Sequence, residues 1–182
     1  MIWNLSSIFS DPIGTLKAYV CIIPIILLSL TLHEWGHAFA AHKCGDDTAM
    51  NLGRMTINPF AHLDLLGFLS MLFLGFGWAK PVPINMYNLK NPKRDMIFVS
   101  LAGVTANFLL AAIAGLIMFF IRNFFADVSV LVSLYVILQY FIVINIVLMI
   151  FNLIPVPPLD GSRVVLFLLP RDLAQKYAKI EK

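Results

Sequence analysis

The stretch TLHEWGHAFAAH, Thr31 to His42, places His33, Glu34 and His37 close together in the chain. On a helix, residues four apart stand one turn above each other on one face. Two imidazoles at that spacing can grip a single Zn²⁺. Glu34 projects about 100° round the axis from His33, still on the same broad side. Zinc lowers the pKa of water from about 15.7 to about 7, and a carboxylate placed there can take the proton. HEWGH therefore offers two ligands and a general base. A lone histidine in an apolar run is otherwise a helix contact or a pore residue, and HExxH also arises by chance. The apolar setting favours metal, because an unpaired carboxylate at mid-span costs about 2.5–3.5 kcal/mol or more. Ser29, Gly36, Ala40 and Ala41 lie on or beside the histidine face. Small residues there let another helix approach or leave room for a substrate backbone.

A catalytic zinc wants three protein ligands and an open position. Asp160, in NLIPVPPLDGSR, is the best candidate for the third. Pro155, Pro157 and Pro158 prevent a regular helix, and irregular backbone at membrane depth survives only when buried in protein or lining a wet cavity. The alternative is that Asp160 caps a helix starting near Gly161.

Elements must carry these residues to one place. The chain has 182 residues, 60% hydrophobic and only 13% charged, far from the half apolar and quarter charged of a soluble domain. Its mean hydropathy is +0.86. The composition defines an all-α polytopic membrane protein, read as one integral-membrane domain over residues 1–182. A net charge of +3 needs no nucleic-acid partner, since Lys and Arg collect in cytoplasmic loops. Cys21 and Cys44 fit neither a disulfide framework nor a cysteine zinc site. The N-terminus lacks the basic start of a cleaved signal. Residues 1–17 read as a lead-in. Clear spans cover residues 18–41, 96–121 and 128–154, with Pro24 a candidate kink in the first. A short C-terminal helix closes the chain.

The apolar stretch 63–78 decides the topology. His37 and Asp160 each lie near the C-terminal end of a span and must meet one ion at bonds of about 2 Å. If 63–78 crossed the membrane, those ends would face opposite sides. Sixteen helical residues reach only about 24 Å, short of a hydrocarbon core of about 30 Å. The expectation is a re-entrant or partial segment. Eleven of the 13 Lys and Arg then fall on the active-site side, against Lys17 and Arg122 on the other. A crossing would give 10 against 3, so charge barely discriminates and ligand geometry does. The positive-inside rule places the HExxH end toward the cytoplasm.

HEWGH in an early span followed by NLIPVPPLDG at the end of a later one resembles the site-2 protease family of intramembrane zinc metalloproteases. Both family patterns, HExxH and NxxPxPxLDG, are complete. NPFAH, GWAKPVPIN and LAGVTANF resemble a compact subgroup lacking an inserted PDZ domain. The resemblance spans roughly Leu30 to Arg163. It implies His33, His37 and Asp160 as zinc ligands and Glu34 as catalytic base. It sets Asn152 beside the substrate, either as an amide donor toward the scissile carbonyl or in binding a substrate strand. Relatives commonly continue into a further hydrophobic segment beyond the point where this sequence stops.

Other residues keep two readings. His62 is a partner of a ligand, a substrate-state ligand or a loop-fixing hydrogen bonder. Asp64 either orients an imidazole or caps the following helix. Gly103, Asn107, Ala111 and Ala114 form a small stripe suited to helix packing, and the family's corresponding asparagine suggests that Asn107 bonds a loop near the site. The prolines of PVPIN give an extended edge on which an unwound substrate could pair. The expected partners are a transmembrane protein or peptide substrate and the bilayer, with self-association left open. The rival functions are a metal-ion transporter or channel and an inactive zinc-binding scaffold. Few spans and no inverted repeat weigh against transport.

Overall fold

In a computed structural model of the chain, three apolar runs form three long helices. Residues 11–74, 77–124 and 129–181 are described. Residues 1–10 of the expected lead-in, Gly75 and Phe76 of the re-entrant stretch and Val128 at the start of the third span lie outside them.

The helices overrun their apolar cores because local signals cap them. Helix α1 (Pro12–Lys43) begins before the expected residue 18: Asp11 accepts a hydrogen bond of 2.9 Å from the Gly14 N–H, and Pro12 occupies the first turn. It continues through Pro24. The short helices α2 (Thr48–Asn51), α3 (Pro59–His62) and α4 (Leu65–Leu74) follow. Helix α5 (Pro92–Phe124) begins before residue 96 because Pro92 suits a first turn and Asp95 accepts from the Asn91 N–H at 2.8 Å. Helix α6 (Ser129–Leu153) is the third span. At 32, 33 and 25 residues, α1, α5 and α6 reach about 48, 50 and 38 Å. All three are long and apolar enough to cross a membrane.

The packing is inverted relative to a soluble protein. Leu16, Val20, Phe108, Ile113, Phe119, Val143 and Val147 are exposed, whereas Ser29, Thr31, His33, His37, Ser100, Asn107 and Asn145 are buried. Alanines 38, 41, 111 and 114 are buried as well. Lipid replaces water outside, so apolar side chains gain nothing by turning inward; small contacts and hydrogen bonds join the helices instead. Gly36 illustrates the closeness: a Cβ there would lie 3.0 Å from the Ala102 carbonyl oxygen.

The stretch 63–78 returns to where it started. Leu63 and Ala79 form an antiparallel bridge, and the Lys80 N–H donates to the His62 carbonyl at 2.8 Å. Helix α4 has 10 residues, about 15 Å, too short to cross. Two glycines let the limbs touch. A side chain at Gly67 would strike the Trp78 carbonyl, and one at Gly77 would strike the Gly67 carbonyl. Among the described residues this bridge is isolated and no strand forms.

After α6 the prolines break the helix, and residues 154–159 run irregularly to α7 (Asp160–Leu168). The Pro157–Pro158 peptide is cis. A Cβ on Gly161 would strike the Leu153 carbonyl, so glycine allows the tight return. Helix α8 (Arg171–Tyr177) and a 3-10 turn, Ala178–Glu181, form the C-terminal helical tail. The Tyr177 hydroxyl ties that tail to the Pro155 carbonyl at 2.7 Å.

Candidate metal centre

His33 and His37 leave one face of α1 and meet Asp160 at the start of α7. Their Nε2 atoms are 3.0 Å apart, and Asp160 Oδ2 is 3.1 Å from each. All three residues are buried, at 4%, 6% and 8% exposure. The helix-capping alternative for Asp160 is not adopted: α7 begins at Asp160 itself, and its carboxylate faces the imidazoles.

The hydrogen-bond partners show what the triangle needs. His37 Nδ1 donates to the Val99 carbonyl at 2.7 Å, and His33 Nδ1 donates to Asn107 Oδ1 at 2.5 Å. Each ring therefore carries hydrogen on Nδ1, and in the neutral form that binds metal each Nε2 presents a lone pair. Two lone pairs and a carboxylate oxygen face one another. Among the described residues, Asp160 Oδ2 makes no well-formed hydrogen bond, and the only polar groups it is paired with are the two Nε2 atoms. Three mutually facing acceptors in a buried site repel. One added proton can lie between only two of them, whereas a divalent cation satisfies all three. The three ligand atoms lie within 4.8 Å of one another.

Helix α5 leaves the space for such an ion. Gly103 lies against the triangle: a Cβ there would be 2.5 Å from His37 Nε2 and 2.7 Å from His33 Nε2. The sequence suggested a packing role for Gly103, and the structure adds clearance beside the ligand atoms.

Glu34 is half-buried and accepts a hydrogen bond of 2.9 Å from the Val82 N–H. Within Pro81–Val82–Pro83, Val82 carries the sole N–H, since proline has none. The segment is pinned on both sides of that contact. Arg54 donates to the Lys80 carbonyl at 2.7 Å, and Asp46 accepts from the Asn85 N–H at 2.7 Å. The Lys90 N–H reaches the Cys44 carbonyl at 3.0 Å. An extended strap thus holds Glu34 beside the two histidines.

Of the remaining candidates, Asp64, His62 and Asn152 bond to groups other than the three candidate ligands. Asp64 accepts from the Gly67 N–H at 2.8 Å, which is the capping role. His62 is buried and donates from Nε2 to the Thr56 carbonyl at 2.9 Å, fixing the preceding loop. Asn152 donates to the Leu148 carbonyl of its own helix at 3.0 Å. Asn107 contacts His33 directly, along with Asn145, instead of reaching a loop. Sequence reasoning passed over Asn145, Val82 and the Val99 carbonyl. Only Asn145 carried a signal, as an amide within an apolar span.

A largely apolar cavity of about 430 Å³ lies between α1, the segment from α3 through α4, and α6; its lining does not include His33, Glu34, His37 or Asp160. Ile26, Leu30, Thr31, Phe68, Val147 and Phe151 contribute to its walls, with His62 and Asp64 at the hairpin.

A membrane-embedded HExxH centre completed by a distant aspartate defines a class of metal-dependent peptidase. The chain belongs to Peptidase family M50, the site-2 protease family, which matches residues 21–181. Similar proteins are the "Putative zinc metalloprotease YwhC" of Bacillus subtilis, 39% identical over 158 residues, and the "Putative zinc metalloprotease Rip2" of Mycobacterium tuberculosis, 31% identical over 157 residues. The corresponding protein of Mycolicibacterium smegmatis is 33% identical over 156 residues. These alignments cover 86%, 83% and 82% of the chain, and 72%, 58% and 58% of the relatives. No solved structure matches the chain. The chain is an integral-membrane zinc metalloprotease, and the donor set described here suits that ion.

Proposed function

We propose that the chain hydrolyses a peptide bond in or near a transmembrane segment of a membrane-protein substrate, with Glu34 as general base. The observation that carries this reading is a buried triangle of two imidazoles and a carboxylate beside a second, positioned carboxylate, set among helices with exposed apolar faces. Zinc held by His33, His37 and Asp160 would supply a Lewis acid that polarises a carbonyl and makes water more acidic. Glu34 takes a proton from the attacking water. It then gives that proton to the amide nitrogen as the C–N bond breaks. The Val82 N–H holds one carboxylate oxygen, which limits rotation and leaves the other oxygen to move the proton.

The apolar cavity suits a substrate segment arriving from the bilayer. Such a segment must unwind locally, because helical carbonyls are bonded to their own backbone. The strap through PVPIN offers extended backbone beside Glu34 with which an unwound segment could pair. The excess of Lys and Arg in loops at this end supports an active site facing the cytoplasm.

The test is Glu34→Gln, measured with a model transmembrane peptide and a metal assay. The expected result is retained zinc and loss of cleavage. Cleavage at the parental rate would overturn the assignment.

A further inference from the structure

We propose that Asn145 is a positioning residue for the metal centre, acting through Asn107 to fix which nitrogen of His33 carries hydrogen. The inference rests on His33 being a metal ligand.

The relay crosses three helices. On α6, Asn145 Nδ2 donates to the Phe141 carbonyl and to Ser29 Oγ of α1, both at 2.9 Å. On α5, Asn107 Nδ2 donates to Asn145 Oδ1 at 2.9 Å, and Asn107 Oδ1 faces His33 Nδ1 at 2.5 Å. Ser29, Asn107 and Asn145 are each 0% exposed, so solvent cannot substitute for a missing partner. Ser29 lies one turn before His33 on α1, so the relay begins and ends on the same helix face.

Its polarity has one source. A side-chain amide can turn either end toward an imidazole, but a backbone carbonyl can only accept. The Phe141 carbonyl requires Asn145 to present Nδ2 to it, which turns Asn145 Oδ1 toward α5. Asn107 must then donate with Nδ2 and present Oδ1 to His33. His33 meets that acceptor by carrying hydrogen on Nδ1, leaving the Nε2 lone pair aimed at His37 and Asp160. Reversing the relay would set Asn145 Oδ1 against the Phe141 carbonyl and place hydrogen on His33 Nε2, where the ion must bind. His37 needs no relay, because its Nδ1 meets the Val99 carbonyl directly. The asparagines thus carry the direction of a backbone acceptor on α6 to a ligand on α1.

The experiment is a double-mutant cycle on zinc affinity in detergent, by competition with a chelating dye. The proteins are the parent, Asn145→Leu, Asn107→Leu and the double variant. Asn145→Leu is expected to weaken zinc about tenfold, within the 10–100-fold typical of losing a ligand's partner. In the Asn107→Leu background it should add less than twofold, because the relay is already cut. Nitrogen-15 histidine spectra of the zinc-free protein supply a second readout: one ring form for His33 in the parent and a mixture in Asn145→Leu. A purely packing role would give equal losses in both backgrounds and an unchanged ring spectrum, which would overturn the proposal. So would zinc affinity within twofold of the parent in Asn145→Leu. Asn145→Ala is read in the same way should the leucine variant fail to fold. His33→Ala separates the two levels. If it keeps parental affinity, the ligand assignment itself falls; if it loses zinc while Asn145→Leu does not, only the relay falls.

Discussion

Replacing Gly103 by alanine should damage zinc binding with little effect on the rest of the fold. Its Cβ would sit 2.5 Å from His37 Nε2 and 2.7 Å from His33 Nε2, where ordinary contact begins at 3.4 Å. The rings would have to retreat by 3.4 − 2.5 = 0.9 Å and 3.4 − 2.7 = 0.7 Å. They have little freedom to do so, since Asn107 and the Val99 carbonyl hold their Nδ1 atoms. Overpacking of this kind costs about 1–3 kcal/mol. Were all of it felt by the bound state, zinc affinity would fall by about 5- to 150-fold. Gly115→Ala is the matched control on the same helix, where an added Cβ meets nothing within 4 Å. Zinc affinity of both variants, measured by chelator competition, decides the matter. Parental affinity in Gly103→Ala, or an equal loss in Gly115→Ala, would refute the reasoning.

Two further predictions concern the loops. Burial alone would push the Asp46 carboxyl up, but hydrogen bonds from Thr48, Asn85 and Asn88 outweigh it and hold the group below the usual carboxylate range. A pKa lowered by folding gives stability that is present above the unfolded value, near 3.9, and lost as the pH falls through the folded value. The difference in thermal midpoint between parent and Asp46→Asn should therefore be widest at neutral pH and close on acidification; a difference constant from pH 7 to 3 would contradict this. Cys44 follows α1 at the active-site end, and burial pushes its thiol up, which slows its labelling. In a Cys21→Ser background, a membrane-impermeant maleimide should reach Cys44 in inverted vesicles and not in intact cells, and the reverse would overturn the cytoplasmic orientation.

The parts legible in the sequence were those set by local spacing or by length. His33, Glu34 and His37 are neighbours on one helix whatever the tertiary structure. The stretch 63–78 was too short to cross, and its ends meet at Leu63 and Ala79. Asp160 is more than a hundred residues from His37, and only the demand for a third ligand and a shared side brought them together on paper. Backbone partners were invisible. No residue type announces that the Val82 N–H meets Glu34 or that the Val99 carbonyl meets His37. Asn107 was expected to bond a loop near the site, and its actual partners, His33 and Asn145, lie on other helices. Asp64 and Asp160 each had a capping reading. Only the structure shows that Asp64 caps its helix while Asp160 turns to the imidazoles.

The central claim is that one zinc ion joins α1 to α7 through two imidazoles and a carboxylate. X-ray absorption at the zinc edge of the purified, zinc-loaded protein tests it most directly. The account predicts nitrogen and oxygen neighbours at about 2.0–2.2 Å, with imidazole scattering that weakens in His37→Ala and an oxygen shell that changes in Asp160→Ala. A sulfur neighbour at about 2.3 Å, or a spectrum unchanged by both substitutions, would contradict it.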